Sequence, residues 1–322
     1  MSKFKAVVMS GRWQAWIPEF QAVSKDLNVV AASKPEDLMR EIVDADVVIG
    51  RLPREAFLKA QKLNYVQSIG VGFETMLYPE MLASKVHITN TAGAYDSVIS
   101  EHAMAHILAF SRGIIGHERN RKDRIWEREG VPVIQLDGLT ACVLGLGSIG
   151  RTIALRLKAF GMTVIAVDVQ ATTPPNGVDR VVKPDAMHQA LAESDIVVVA
   201  LPHTPATEGI INAKCFDSMK SSALIVNIAR GPLINESDLI DALQQGKIAG
   251  AGLDVFEKEP LPNDSPLWDM ANVSFTPHTA SLCGEGDVNI KNIFIENLRR
   301  FVNGETLMNI IDKEKGYLVR NA

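Results

Sequence analysis

Cysteine is scarce in this 322-residue chain, which contains only Cys142, Cys215 and Cys283. The three residues lie far apart and form no C-x-x-C pair, so the spacing typical of a structural zinc site is missing. A single disulfide would leave one thiol unpaired. These features disfavour a disulfide-stapled scaffold and indicate reduced, buried thiols, and we expect no metal centre.

Long apolar runs, a secretory leader and an excess of basic charge are also missing. No stretch is long enough to span a bilayer, and the N-terminus lacks a basic start, an apolar segment and a small-residue cleavage site. The formal net charge is −5, whereas nucleic-acid binding usually requires a basic face. In residues 117–128 basic residues alternate with acidic ones, as on a solvated helix face. We therefore expect a cytoplasmic protein that binds neither membranes nor nucleic acids.

The chain does contain a repeated alternation of short β-branched runs and longer amphipathic stretches. This alternation predicts parallel sheets joined by helices, and it occurs twice. The length and the 47% hydrophobic content suit packed soluble domains. In the first part we predict strands at residues 5–9, 29–32, 47–50, 65–69 and 87–90. In the second part we predict strands at residues 140–144, 163–167, 196–200, 223–228, 249–253 and 273–276.

Two helical patterns set the predicted domain boundaries. Apolar spacing predicts a long helix over residues 96–116, which carries the chain from the first set of strands to the second. A final helix over residues 288–302 follows the last strand and lets the tail pack back on the first domain. We therefore predict an α/β protein with one discontinuous domain, residues 1–96 and 289–322, and a second domain of residues 97–288.

The sequence GLGSIG follows a predicted strand and precedes a predicted helix, residues 151–160. In a dinucleotide-binding turn the first glycine permits the tight turn, the second lets the backbone approach a pyrophosphate, and the third lets helix and strand pack closely. The helix N-terminus then presents free amides to the phosphates. A glycine-rich turn also occurs for packing alone, so the motif leaves both interpretations open. The residues assigned to this turn are Gly145, Gly147, Ser148, Ile149 and Gly150.

An acidic residue at the end of the next predicted strand favours the dinucleotide. Asp168 follows Gly147 by 21 residues, close to the roughly 20 residues that precede the carboxylate binding the adenosine ribose. Such a carboxylate accepts hydrogen bonds from the ribose hydroxyls and repels a 2′-phosphate. The next four residues, VQAT, contain no basic side chain. We therefore predict NAD as the cofactor, with NADP disfavoured.

Four further stretches accompany this motif: LPHTPATEGIIN at 201–212, NIARGPLINESDLIDAL at 227–243, GLDVFEKEP at 252–260 and TPHTA at 276–280. Together with GLGSIG they resemble the D-isomer-specific 2-hydroxyacid dehydrogenases, in order and across nearly the whole chain. The resemblance implies two Rossmann-like domains: a discontinuous, flavodoxin-like substrate domain and an NAD-binding domain with a doubly wound parallel sheet. It also implies an active site in the cleft between them, and usually a homodimer.

The resemblance also implies residue roles. It makes Arg230 the anchor of the substrate carboxylate, His278 the acid/base and Glu259 the partner of that histidine. It places Asp254 beside the nicotinamide. It assigns further cofactor contacts to Val98, Pro202, His203, Ala229 and Ala280, and substrate contacts through the backbone to Val71 and Gly72.

The chemistry of 2-oxo-acid reduction calls for the same residue types. A planar guanidinium can make two parallel hydrogen bonds to a carboxylate, which suits Arg230. A histidine can give and take a proton near neutrality, and Glu259 would fix its tautomer and stabilise the imidazolium. Formate dehydrogenases, which are similar in fold, pair their histidine with glutamine. Glu259 therefore favours proton delivery to an oxo acid.

We expect an NAD(H)-dependent enzyme that interconverts a small 2-oxo acid, such as glyoxylate or hydroxypyruvate, and the D-2-hydroxy acid. The alternative is an NAD-sensing binding protein like the C-terminal-binding corepressors, which share this fold and retain the triad. An inactive paralogue is a third interpretation. His102 and His106 lie four residues apart on one predicted helix, but neither a third ligand nor the H-E-x-x-H order is present. We therefore expect packing or interface histidines there.

Overall fold

A computed structural model describes residues 3–282 and 286–318 of the chain, and Cys283 lies outside these ranges. The chain divides into two compact units. One unit runs up to Tyr95 and takes up the chain again after residue 282, and the other is Asp96–Leu282. Within the described ranges, no helix combines the length and the apolar character needed to cross a membrane.

The first unit is built on a parallel sheet. Its strands are β1 (Phe4–Met9), β2 (Leu27–Ala32), β3 (Val47–Ile49), β4 (Tyr65–Gln67) and β5 (His87–Thr89). Its first helices are α1 (Ile17–Gln21), α2 (Pro35–Glu41), α3 (Arg54–Phe57) and α4 (Pro79–Ala83). The strand order is β2-β1-β3-β4-β5 with parallel neighbours throughout, as in flavodoxin. Val7, Val48, Val66 and Ile88 lie in its apolar core.

The second unit carries a larger parallel sheet. Its helices are α5 (Asp96–Ser111), α6 (Ile114–Lys122), α7 (Ser148–Ala159), α8 (Met187–Glu193), α9 (Ala213–Ser218) and α10 (Glu236–Gln244). Its strands are β6 (Thr140–Leu144), β7 (Thr163–Val167), β8 (Arg180–Val182), β9 (Ile196–Val199), β10 (Leu224–Asn227), β11 (Gly250–Leu253) and β12 (Val273–Phe275). The central strands β9, β10 and β11 are buried at every residue, because helices cover both faces of a doubly wound sheet.

The strand order of this sheet, β8-β7-β6-β9-β10-β11-β12, reverses between β6 and β9. Such a reversal separates the loops that follow the two strands and leaves a crevice at their carboxyl ends, where open α/β sheets bind ligands. The glycine-rich sequence begins directly after β6. The fold class predicted from the sequence, two parallel α/β sheets, is confirmed.

The end of the chain returns to the first unit. Helix α11 (Gly286–Asn303) buries Ile290, Phe294 and Leu298, which lie on one face at helical spacing. A short antiparallel pair, β13 (Ile311–Asp312) and β14 (Tyr317–Leu318), follows, and Ile310 forms an antiparallel bridge with Thr89. The sequence analysis predicted the helix and missed this pair.

Three predicted elements need correction. The helix predicted over residues 96–116 ends at Ser111, because Gly113 adopts a left-handed φ of 66° that interrupts the helix before α6. Strand β8 was not predicted because it is short and partly exposed. The helix predicted from Arg151 begins at Ser148, inside the glycine motif.

Candidate active site

The glycine turn after β6 is held by close backbone packing at two of its three glycines. Gly145 has a φ of 96°, and a Cβ there would lie 2.7 Å from the carbonyl oxygen of Ala200. A Cβ on Gly150 would overlap the carbonyl oxygen of Gly145. Gly147 differs, because within the described residues no heavy atom lies within 4 Å of the place its Cβ would take. Packing therefore explains the first and third glycines but not the second.

Gly147 caps the start of α7, so the amides of Ser148 and Ile149 belong to the first turn of that helix. Both residues are partly exposed, and Gly147 itself is exposed. Free amides beside open space form a site that can receive an anion. The arrangement fits a dinucleotide pyrophosphate.

Asp168, directly after β7, is buried and bound to backbone amides. Its Oδ2 accepts the amide of Leu146 at 2.7 Å, and its Oδ1 accepts the amides of Gln170 at 2.8 Å and Ala171 at 2.7 Å. The carboxylate therefore joins the glycine turn to the loop after β7. These hydrogen bonds fix the orientation of the carboxylate at the position that the sequence predicts for ribose binding.

One cation near this loop was not expected from the sequence. Lys183, directly after β8, donates to the carbonyl oxygens of Val169 at 2.9 Å and Ala171 at 3.0 Å. No basic residue follows Asp168 at once in sequence, but the pairing of β7 with β8 brings one to the same edge. Lys183 was not expected here because strand β8, which places it beside the loop, was not predicted from the sequence.

Pro202 and His203 lie in the loop after β9. The carbonyl oxygen of Pro202 accepts the hydroxyl of Thr207 at 2.7 Å, which closes the loop. The Nε2 atom of His203 is buried and has no hydrogen-bond partner in the described part of the chain. A buried ring nitrogen without a partner is unusual in a native protein, and such an atom is suited to bind a polar group of a ligand.

Arg230 follows β10 in a turn held by Asn227. The Asn227 side chain accepts the amide of Ala229 at 3.0 Å and donates to the carbonyl oxygen of Arg230 at 3.0 Å. A Cβ on the next residue, Gly231, would overlap the backbone at Phe256. The Arg230 turn is therefore packed directly on the loop that follows β11. Arg230 is partly exposed, and its Nη1 donates to the carbonyl oxygen of Ala229 at 2.7 Å.

His278 and Glu259 form the pair predicted from the sequence. The Nδ1 of His278 lies 2.7 Å from Oε2 of Glu259, and the other carboxylate oxygen accepts the amide of Phe256 at 3.1 Å. The Glu259 carboxylate therefore fixes which ring nitrogen faces it and leaves Nε2 of His278 for another partner. The two side chains remain 48% and 37% exposed, so water screens the pair.

Asp254 binds the backbone amides of His278 and of the two residues that follow it. The carbonyl oxygen of Asp254 accepts the amide of His278 at 2.8 Å, and its carboxylate accepts the amides of Thr279 at 2.8 Å and Ala280 at 3.0 Å. Three consecutive amides are thus bound to one residue that is only 1% exposed. His278 has a left-handed φ of 56°, which is uncommon for a residue other than glycine. The sequence predicted Asp254 only as a neighbour of the nicotinamide.

The start of α5 carries Val98, another predicted cofactor contact. Val98 is partly exposed in the first turn of the helix. The neighbouring carbonyl oxygen, of Ser97, accepts Nη1 of Arg156 from α7 at 2.9 Å, so the first turn of α5 is tied to the helix that follows the glycine turn.

In the first unit, Val71 and Gly72 lie in the loop after β4. Carbonyl oxygens of this loop are bound within the unit: Asn90 donates to Val71 at 2.9 Å and the hydroxyl of Ser68 donates to Gly72 at 2.8 Å. Among the described residues, no hydrogen bond uses the amides of Val71 and Gly72. Two adjacent free amides suit an anionic ligand.

The histidines of α5 are engaged in hydrogen bonds within the unit. His102 Nε2 lies 2.7 Å from the hydroxyl of Thr276, and His106 Nδ1 lies 3.1 Å from the hydroxyl of Ser274. Burial, and then the neighbouring His102, lower the pKa of His106 to about 4. No cluster of metal-binding side chains occurs in residues 3–282 and 286–318.

Comparison with known proteins connects these features to one family. Residues 104–280 match the family model described as D-isomer specific 2-hydroxyacid dehydrogenase, NAD binding domain. A glyoxylate reductase of Pyrococcus furiosus is 32% identical over 87% of this chain and 86% of its own. A D-3-phosphoglycerate dehydrogenase of Methanocaldococcus jannaschii is 33% identical over 89% of this chain, which spans only 55% of that protein.

A solved structure extends the comparison to the whole fold. The D-isomer specific 2-hydroxyacid dehydrogenase from Xanthobacter autotrophicus Py2, in complex with NADPH and MES, has a TM-score of 0.84 and 30% sequence identity. The match covers 97% of this chain and 99% of that chain.

The sheet order, the glycine turn and the site residues define an α/β oxidoreductase that binds a nicotinamide dinucleotide. More specifically, the chain belongs to the D-isomer-specific 2-hydroxyacid dehydrogenase family, as its sequence motifs indicated. Its NAD-binding domain lies in the unit Asp96–Leu282.

Proposed function

We propose that the protein is an NAD(H)-dependent enzyme that interconverts a small 2-oxo acid and the corresponding D-2-hydroxy acid. The observation that carries this proposal is the hydrogen bond between His278 and Glu259 at the carboxyl edge of the sheet. Arg230 follows β10, which pairs with one side of β11, and His278 follows β12, which pairs with the other side. An acid/base pair and a carboxylate-binding cation are the two elements that oxo-acid reduction requires of a protein.

The cofactor would be held at the glycine turn after β6 and at the end of β7. Gly147, Ser148 and Ile149 would bind the pyrophosphate, and Asp168 the adenosine ribose. When bound, the nicotinamide supplies a hydride to the carbonyl carbon of the substrate. The proposed remaining contacts are Val98, Gly145, Gly150, Pro202, His203, Ala229, Asp254 and Ala280.

The proposed preference for NAD rests on Asp168. Its carboxylate is held by three amides and cannot turn away easily, so a 2′-phosphate would meet a fixed negative charge. The positive charge of Lys183 would instead attract a 2′-phosphate, but its ammonium is bound to two carbonyl oxygens of the loop. We therefore expect NADH to be used faster than NADPH.

The protein side of the reaction consists of binding and proton transfer. Arg230 would hold the carboxylate of the substrate through its guanidinium fork. His278, with Nδ1 facing Glu259, would donate the proton on Nε2 to the oxygen of the reduced carbonyl. Glu259 would hold the ring through Nδ1 during this step, and the same groups run in reverse when a hydroxy acid is oxidised.

The first unit would act as the substrate domain, residues 1–96 and 289–322, and residues 97–288 as the NAD-binding domain. For Val71 and Gly72 the proposal rests on their free amides, which can bind a carboxylate. We keep the cytoplasm as the expected compartment, since Cys142 and Cys215 are free, buried thiols.

We further propose a homodimer. Several large apolar side chains between the end of α5 and β6 are exposed, and Trp126 is 96% exposed. Such a cluster on one segment is typical of a protein–protein interface, and a second copy is the partner that the family resemblance favours. The exposed residues are Ile114, Ile125, Trp126, Val133 and Ile134.

A spectrophotometric screen tests the proposed function. Glyoxylate, hydroxypyruvate, pyruvate, phenylpyruvate and 2-oxoglutarate are each supplied with NADH and with NADPH. We expect consumption of NADH with at least one short 2-oxo acid, and a slower reaction with NADPH. Tight binding of NADH without turnover of any acid would support the NAD-sensing alternative, and a preference for NADPH would overturn the role given to Asp168.

A further inference from the structure

A chain of hydrogen-bonded polar groups lies between α5 and the catalytic candidates. His102 Nε2 lies 2.7 Å from Thr276 Oγ1, and Thr276 Oγ1 lies 2.6 Å from Asp254 Oδ1. His102 is 20% exposed at its side chain and Asp254 is 2% exposed. These hydrogen bonds therefore connect a helix to Asp254, which accepts the amide of His278 through its backbone carbonyl and the amides of Thr279 and Ala280 through its carboxylate.

The direction of these hydrogen bonds is fixed by the chemistry of the groups. Thr276 has a single hydroxyl proton, and an ionised carboxylate can only accept. The hydroxyl must therefore donate to Asp254 and accept from His102. His102 in turn must carry its proton on Nε2, so its tautomer is determined by Thr276.

A second histidine–hydroxyl pair lies next to this one but does not extend to Asp254. His106, one turn further along α5, lies with Nδ1 3.1 Å from the hydroxyl of Ser274, two residues before Thr276. Ser274 makes no hydrogen bond to Asp254 among the described residues. The two histidine–hydroxyl pairs thus join α5 to β12 and to the residue directly after it, and only the pair of His102 and Thr276 continues to Asp254.

We propose that His102 and Thr276 are positioning residues for His278, an inference that rests on the proposed function. The carboxylate of Asp254 can hold the amides of Thr279 and Ala280 together only if it keeps one orientation, and Thr276 donates to Oδ1 and so helps to fix it. The left-handed backbone of His278, with a φ of 56°, then directs the imidazole to Glu259. Without Thr276 the carboxylate can rotate, and the ring loses its fixed position.

The first test compares the steady-state kinetics of three variants, each with a small side-chain change, with those of the wild type. Thr276→Val removes the hydroxyl and keeps the shape, Thr276→Ser keeps the hydroxyl, and Ser274→Ala is the matched control on the neighbouring pair. We expect Thr276→Val to lower kcat by roughly tenfold to a hundredfold with KM for the oxo acid little changed, since misplacement of a reacting group acts on the transition state. Thr276→Ser should recover most of the loss, and Ser274→Ala should keep the wild-type kcat within about twofold.

The second test does not depend on turnover. The chain has 7 histidines, and selective ¹⁵N labelling of histidine gives an amide spectrum of the cofactor-free protein in which a His278→Asn variant identifies the signal of His278. We expect that signal to move in Thr276→Val and to stay in place in Ser274→Ala. If no 2-oxo acid is reduced by the wild type, the proposed function fails while this spectrum still decides the positioning role.

Two results would overturn the inference. One is a Thr276→Val variant with wild-type kcat and an unmoved His278 signal. The other is a Ser274→Ala variant that loses as much activity as Thr276→Val, because the effect would then come from general disturbance of β12 and not from the hydrogen bond to Asp254.

Discussion

Gly150 packs its α-carbon against the carbonyl oxygen of Gly145, so closely that a methyl group on Gly150 would overlap that oxygen. Gly147, between them in sequence, faces open space instead. One glycine motif therefore contains a position that the fold requires and a position that the fold leaves free, and substitutions can separate the two roles.

We predict opposite effects for alanine at these two positions. Gly150→Ala should lower the free energy of unfolding by about 1–3 kcal/mol, since the extra methyl group overpacks the turn. Gly147→Ala should leave the unfolding temperature nearly unchanged, because its φ of −58° suits alanine, but should weaken NADH binding. Thermal unfolding and titration of NADH fluorescence measure the two quantities. A Gly147→Ala variant that binds NADH like the wild type would contradict the proposed pyrophosphate site.

Arg230→Ala should raise KM for the 2-oxo acid roughly tenfold to a hundredfold, the loss expected for a hydrogen bond to a charged group. NADH affinity should be largely kept, because the proposed pyrophosphate and ribose contacts lie elsewhere on the sheet edge. Arg230→Lys is the matched control and should recover only part of the loss, since an ammonium cannot form the paired hydrogen bonds of a guanidinium. Steady-state kinetics decide this prediction, and an unchanged KM in Arg230→Ala would speak against the carboxylate anchor.

Glu259→Gln should lower kcat of reduction with little change in NADH affinity. The substitution replaces the carboxylate whose Oε2 lies 2.7 Å from Nδ1 of His278 and keeps a side chain of the same size. The imidazole then loses the partner that holds it in place, so we expect kcat to fall roughly tenfold to a hundredfold. Steady-state kinetics and NADH titration measure the two quantities. A kcat equal to that of the wild type would remove Glu259 from the proposed relay.

Stability in acid should depend on His106. Its pKa falls from 6.5 to about 4 because the folded protein buries the ring. The unfolded chain therefore binds a proton that the folded protein excludes, so stability is fully present above pH 6.5, is lost as the pH falls toward 4, and loses nothing further below that. Between pH 7 and pH 5 the loss should reach roughly 2 kcal/mol.

Denaturant unfolding at several pH values checks this expectation. His106→Asn should flatten the pH dependence of the unfolding free energy relative to the wild type. His117→Asn, at an exposed position on α6, is the control and should leave the dependence unchanged. Equal slopes in the His106→Asn variant and the wild type would show that His106 is not the group responsible.

Much of this fold follows from local sequence. The strands β6 and β7 were predicted at their exact ends, because β-branched runs bounded by glycine or charge are a local signal. The pairing of His278 with Glu259 followed from a resemblance to known motifs. Strand β8 escaped prediction because an edge strand of 3 residues with exposed positions has too little apolar pattern.

The residues that organise the site could not be predicted in the same way. Thr276 is 174 residues from His102 in sequence, and only the packing of α5 on the sheet brings them together. Asn227 and Lys183 likewise act on loops through tertiary contacts. Sequence motifs thus identified the candidate reacting groups, whereas the groups that hold them in place required the structure.

The account is tested most directly by chiral analysis of the product formed by the wild type and by His278→Asn. Each is supplied with NADH and the best 2-oxo acid whose hydroxy acid is chiral, which excludes glyoxylate. We predict that the wild type forms one D-2-hydroxy acid for each NADH consumed. His278→Asn should bind NADH normally and form product about a hundredfold to ten-thousandfold more slowly, the usual range for a lost general acid. An L-product, or a His278→Asn variant as fast as the wild type, would contradict the proposed reaction.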